Sequence, residues 1–407
     1  MVGHALSYRA LLRLPDMAAL LLATTLSRLA GRMVALAIVL YALSRTGSPA
    51  LAGWMAFALF APGLIASPIA GALIDRSGAV WAITVDMAAS AACLLGLALV
   101  DRIGWASAPV LLTLAGLFSL TSPLSAAGIR ALVPRLVRVE ARDRANALDT
   151  SIHGLTDIVG PALAGVLVGF VGAAPTFILI AILYATTAIC VGRIRTPHPR
   201  AVLLPALLRT AWTGFVRVSR APTLRAMALS YSLYQVTWGA LLVVVPVVAA
   251  RHVAGGAGQA TAGLLWAGSG VVGVIGTLIA GRLRTLGRER PTMALGMGIT
   301  ALAAGPVAAT HGLFGLALGL MLIAAAAGPV DIAVLTLRQR RTDPVELGRV
   351  LSVSMSLNLA GIPLGSALAG VLLPWSLPAA FAAAGLASLL AAGATALIPR
   401  DDVATDG

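Results

Sequence analysis

Gly160-Pro161-Ala162-Leu163-Ala164-Gly165-Val166-Leu167 and Gly365-Ser366-Ala367-Leu368-Ala369-Gly370-Val371-Leu372 are the same eight-residue pattern written twice, 205 residues apart, with one difference. The same shift lays Arg144 on Arg349 and Arg135 on Arg340, and Ser122-Pro123 finds Gly328-Pro329 one residue further on. A second echo sets GALIDRSG, from Gly71, against GRLRTLGR, from Gly281. A chain that repeats itself over half its length is built from two copies of one unit.

Composition says what that unit is made of. The 407 residues have a mean hydropathy of +0.95, 59% hydrophobic and 11% charged residues, far below the roughly 25% charged of a soluble domain. Apolar runs long enough to cross a hydrocarbon layer of about 30 Å recur along the whole length. They predict an all-α membrane protein with twelve transmembrane helices, in two six-helix pseudo-repeated bundles. The spans fall at 17–43, 50–74, 79–100, 108–130, 147–170, 174–192, 222–249, 261–281, 291–310, 313–335, 350–374 and 377–397. The run from Met17 lacks a small-residue cleavage site and reads as a first helix rather than a signal peptide. Residues 1–192 and 222–407 are the expected bundles. Between them, 193–221 interleaves Leu203, Leu207, Trp212 and Phe215 with Arg209, Arg217 and Arg220, as an amphipathic helix lying on the inner leaflet would.

A net charge of +14 would suggest nucleic acid in a soluble chain. Here the arginines sit in alternate loops: Arg9 and Arg13, Arg76, Arg135 to Arg144, the central linker, Arg282 to Arg290, and Arg338 to Arg349. The basic charge is topology, placing those loops and both termini in the cytoplasm of an inner-membrane protein. All 29 basic residues are Arg, a composition bias without chemical weight. Cys93 and Cys190 lie inside apolar runs without metal-ligand spacing and read as packing residues.

Charges inside the spans need partners or a task. Asp149, His153 and Asp157 recur every four residues and form one stripe on the fifth helix, below Gly160-Pro161. Arg28 and Arg32 lie four apart near the middle of the first helix, too deep to snorkel. Counting inwards puts Asp157 level with Arg28 and Arg32 a turn higher. Three readings are open: a structural salt bridge from Asp157 to Arg28 or Arg32; a proton-coupling Asp157 whose Arg contact changes between states, with His153 as a relay; or an anionic substrate held by the two arginines. Asp149 reads as a carboxylate favoured by the helix start. Asp86 is expected to pair with Arg130 near the inner mouth, and Asp331 suits gate or cavity equally. Tyr231, Tyr234, Gln235 and Trp238 share a face of the seventh helix, which suits packing or, with Ser122 of the fourth, a cavity for an amphiphilic ligand. Neither a nucleophile-and-base set nor a nucleotide loop is legible, so no enzyme activity and no cofactor are expected, and a gradient is expected to supply the energy.

At this point the chain resembles the major facilitator superfamily, over essentially its full length. Gly71-Ala72-Leu73-Ile74-Asp75-Arg76-Ser77-Gly78 is similar to the family's loop motif of Gly, Asp, Arg and Gly between helices 2 and 3. The resemblance implies a cytoplasmic gate in which Asp75 meets the start of helix 11 near Arg349; the second copy has Thr285 in place of the acid. Leu12-Arg13, Thr46-Gly47-Ser48, Asp86, Arg130 to Pro134, Arg144 to Ala147 and Gly160 to Gly165 resemble the branch of proton-coupled multidrug, macrolide and siderophore exporters. Gly160, Pro161 and Gly165 also resemble the helix 5 antiporter motif, with Ala164 and Thr156 in place of two of its glycines. Where related exporters often have Gly-Asp in helix 1, this chain has Gly31-Arg32, and where some have a basic helix 5 residue it has Asp157, as if the charges were exchanged. The resemblance implies a monomeric transporter of a small-molecule substrate, exporting organic molecules against protons and surrounded by membrane lipid, with no nucleic-acid partner. The alternative is uptake or uniport of a small organic anion on Arg28 and Arg32.

Overall fold

The chain is seen in a computed structural model that describes residues 16–136, 142–194, 216, 219–282, 287–342, 354 and 356–399, with backbone alone at 68, 72, 75, 130, 131, 133–136 and 142–146. Twelve α-helices lie among the described residues: α1 Met17–Thr46, α2 Pro49–Ser77, α3 Ala79–Arg102, α4 Ala108–Leu136, α5 Arg142–Phe170, α6 Ala173–Gly192, α7 Pro222–His252, α8 Gly256–Arg282, α9 Glu289–Leu302, α10 Gly312–Arg340, α11 Gly361–Leu372 and α12 Leu377–Ala394. Ten helical segments are long and apolar enough to span a membrane; α9 and α11 are shorter. The α9 helix runs on through a π-helical turn at Ala303–Val307, which contains Pro306, a residue with no N–H for the regular ladder.

The turns are set by local chemistry. Gly47 ends α1 at φ 64°, and the Ser48 side chain accepts from the Leu51 N–H at 3.2 Å to open α2, with Pro49 in its first turn. Gly78 ends α2 at φ 90°, its N–H donating to Ile74 at 2.8 Å. At the short-loop end, Trp105, Phe170, Phe314 and Trp375 are strongly exposed, as an aromatic belt at a membrane surface requires.

Helix contacts repeat with the sequence. In the first half α1 packs on α5 and α6, α2 on α4, and α3 on α4 and α6; in the second, α7 packs on α11 and α12, α8 on α10, and α9 on α10 and α12. The halves meet where α5 lies along α8 and α2 along α11, which is one contact repeated by a pseudo-two-fold axis. Both seams run over glycine. A Cβ at Gly165 would stand 2.5 Å from the Gln259 carbonyl oxygen and 2.8 Å from the Gly263 Cα, and one at Gly53 would stand 2.5 Å from the Ser366 carbonyl oxygen and 2.6 Å from the Gly370 Cα. Gly370 follows Gly165 by 205 residues and Gly263 follows Gly53 by 210, the two shifts seen in the sequence. The echoed motif thus holds the halves together at backbone distance.

Candidate functional site

The polar stripe of α5 faces α1. Arg28 donates from Nη2 to the Asp149 carboxylate at 2.8 Å and from Nη1 to the Asp149 carbonyl at 2.7 Å. Arg32 forms an ion pair through Nε with Asp157, and its Nη2 lies 3.2 Å from His153 Nε2. His153 Nε2 in turn is 3.9 Å from the Asp157 carboxylate. Both helices start at the basic-loop end, and Arg32 and Asp157 each lie fifteen residues in, about 22 Å along the axis. The site is therefore at mid-depth.

Of the two arginines open to Asp157 the structure pairs it with Arg32, although the residue count puts Arg28 level with it, and it gives Asp149 a partner in addition to the helix start. The reason is side-chain direction. A Cβ at Gly160 would stand 2.5 Å from the Arg32 Cβ, so the Arg32 backbone is level with Gly160. Helical side chains lean towards the N-terminus, so both arginines reach back towards the basic end, Arg32 onto Asp157 and Arg28 onto Asp149. Gly160 is then the seat on which Arg32 packs. Pro161 adds a second local effect: it has no N–H to donate to the Asp157 carbonyl, four residues before it. That carbonyl faces α8 instead, where a Cβ at Gly270 would stand 3.4 Å away.

Arg32 and Asp157 are 45% and 36% exposed, against 22% for Arg28. Most residues of α1 around Arg32 are buried, so this exposure marks an opening within the bundle, while Leu155 faces outwards on the opposite side of α5. The cluster is charged and reachable by water, an arrangement that can exchange protons between a carboxylate, an imidazole and a guanidinium-held pair.

A second polar site lies in the other half. The Tyr231 hydroxyl of α7 donates to Asp331 of α10 at 2.6 Å, and Asp331 is exposed. From there aromatic rings continue: Tyr231 to Tyr234 with centroids 5.6 Å apart, Tyr234 to Trp238 at 6.5 Å, and Trp238 to Trp266 of α8 at 6.1 Å. Gln235 is buried beside them. The sequence grouped the α7 residues but had no signal for Trp266, which reaches the ladder from another helix.

The remaining candidates are dispersed. Ser122 donates to the Ser119 carbonyl at 2.9 Å and stands against Gly63 of α2, in helix packing. Asp86 is buried and accepts from Ser90 at 3.3 Å; the side chain of its expected partner Arg130 lies outside the described residues. Of the expected gate, Arg76 is exposed, Gly71 has open space where a Cβ would go and Gly78 caps α2, whereas the Asp75 side chain and Arg349 lie outside the described residues, as does nearly all of the linker.

Three comparisons bear on this architecture. The model of the family described as Major Facilitator Superfamily matches residues 20–284 and 227–406. The MFS-type transporter y4rN of Sinorhizobium fredii is 52% identical over 97% of this chain and 98% of its own length. Among solved structures, the nucleoside transporter NupG is similar with a TM-score of 0.71 at 13% identity, covering 94% of this chain and 97% of its own. A peptide transporter of the POT family in complex with alafosfalin gives 0.72 at 15%, over 96% and 95%. At such identities these structures speak to the fold alone.

Proposed function

This chain belongs to the Major Facilitator Superfamily, and we propose that within it the protein is a proton-coupled exporter of organic molecules working by alternating access. The observation that carries this is the Arg32, Asp157 and His153 cluster: mid-depth, water-accessible, and beside a helix carbonyl that Pro161 leaves without its usual donor. Asp157 is the proton-carrying carboxylate. Its contact with Arg32 opens as α1 shifts on α5 within the first half, and the proton is carried while that contact is open. His153, between Asp157 and the basic end of α5, passes that proton on. Arg28 and Asp149 fix the register of α1 on α5 throughout. The arginine bias of alternate loops supports an inner-membrane setting with both termini cytoplasmic.

Reconstituted protein with an imposed pH gradient tests this. Asp157→Asn should abolish gradient-driven flux of a transported compound while leaving its exchange across the membrane; intact gradient-driven flux would remove Asp157 from the coupling step. The rival reading, a small anion held by Arg28 and Arg32, has less support because a carboxylate already engages each arginine.

A further inference from the structure

We propose that the second polar site, Asp331 with Tyr231, Trp238 and Trp266, is a recognition site for the positively charged head of an amphiphilic organic cation; the inference deepens the transport reading and rests on it for the site's access to substrate. Charge accounting carries the argument. In the first half the opening presents two arginines and two carboxylates, each arginine on its own carboxylate. In the second half Asp331 is exposed with a neutral phenol as its partner, and among the described residues no Arg or His lies within ion-pair distance of it. Arg338, two turns further along α10, is buried, and its Nη2 turns to the Asn358 side-chain oxygen at 2.7 Å once that amide is oriented to satisfy its bonds. Among the described residues Asp331 is thus an exposed carboxylate without a cationic partner, which a ligand's positive charge would neutralise.

The surroundings select the kind of cation. Tyr231, Trp238 and Trp266 are half-buried and linked through the buried Tyr234, neighbouring ring centroids standing 5.6 to 6.5 Å apart, so the three give aromatic area that attracts a cation and the apolar body that carries it. Trp266 lies one turn of α8 before Gly270, which touches the backbone of Asp157. The far end of the ladder thus lies one turn from the seam of α8 with α5. A compact, strongly hydrated cation would use only the carboxylate; a quaternary or aromatic cation uses both.

The test is binding of tetraphenylphosphonium, and of the neutral triphenylphosphine oxide, to the purified full chain, followed by calorimetry. Saturable binding of the cation with at least tenfold preference over the neutral compound is expected. Asp331→Asn should weaken cation binding about tenfold or more, and Trp238→Leu several-fold. Asp331→Glu, which keeps the charge, should stay near wild type, and a monodisperse Asp331→Asn on size exclusion shows that its loss is not misfolding. Equal affinity for the two compounds, no saturable cation binding, or unchanged binding in monodisperse Asp331→Asn would overturn the proposal. Asp157→Asn separates the two readings: it should bind the cation normally yet lose pH-driven flux. Flux that depends on Asp157 without cation preference would sink the cation site alone, and cation binding without proton-linked flux would sink the coupling alone.

Discussion

The contact of α1 with α5 and that of α7 with α11 are the same contact in the two halves, and they are built in opposite ways. Gly160 meets the Arg32 Cβ; Gly365, 205 residues after it, meets the backbone of Val236, 204 residues after Arg32. Added Cβ atoms at Gly361 and Gly365 would run into the Ser232 and Val236 carbonyl oxygens, and one at Gly239 into that of Ile362. The second-half pair is thus locked backbone to backbone, whereas the first-half pair is spaced by charged side chains. Positions answering to Arg28, Arg32, Asp149 and Asp157 hold Ser232, Val236, Ser354 and Ile362, none of them charged. Duplication supplied one packing scheme, and only one copy was given groups that can titrate. The proton coupling proposed above belongs to the first pair.

The sharpest way to break this contrast is steric. Gly365→Leu drives a side chain into a carbonyl with no room to yield, an overpacking cost of about 3 kcal/mol or more. We expect loss of monodisperse protein on size exclusion, and a larger loss than for Gly160→Leu, whose side chain meets the Arg32 Cβ in place of a carbonyl oxygen. If both fold equally well, the two contacts are not built differently. Next comes the ion pair of Arg28 and Asp149, the less exposed of the two. A double-mutant cycle with Arg28→Ala and Asp149→Ala, read by thermal unfolding in detergent, should give a coupling of about 1 to 2 kcal/mol. The more exposed Arg32 and Asp157 pair should give under about 1 kcal/mol, while its loss affects gradient-driven flux far more. A pair that stabilises little but controls transport is a switch; the reverse result would make Arg32 and Asp157 the strut.

The smallest effect is expected where an isosteric change removes a charge and keeps the hydrogen-bonding shape, at an ion pair of the second half on the basic rim ahead of the apolar part of α9. Arg340 Nη1 donates to Glu289 at 2.7 Å. Burial alone would raise the Glu289 carboxyl, but its own backbone N–H, the Arg340 guanidinium and the Gly287 N–H hold it below its ordinary value. A depressed carboxylate contributes stability above its unfolded pKa and loses it as pH falls through the folded value. Glu289→Gln should therefore melt a degree or two lower than wild type at neutral pH, for about 0.5 kcal/mol, and the gap should close below about pH 4. A gap that persists there would mean the residue acts by packing rather than by charge.

Part of the site could be read directly from residue order. The four-residue spacing of Asp149, His153 and Asp157 put all three on the face that meets α1, because helical periodicity is local. The Tyr231, Tyr234 and Trp238 stripe came out of the same rule. Trp266 did not, since it joins the ladder from α8, and Ser122, grouped with the cavity by helix number, turns towards Gly63 in packing. The glycines of the echoed motif were visible as a repeat, yet their tasks were not: Gly160 seats an arginine and Gly165 closes the seam between halves.

The sequence by itself determined the membrane class, the spans, the alternation of basic loops and the duplication, because bilayer thickness and the cost of burying charge act on each segment separately. Tertiary structure alone decided which arginine meets which carboxylate. Those partners are 121 and 125 residues apart, and their pairing depends on the axial register of two helices and on the lean of long side chains along them. A shift of one turn, about 5 Å, exchanges the partners while leaving every periodicity in the chain unchanged.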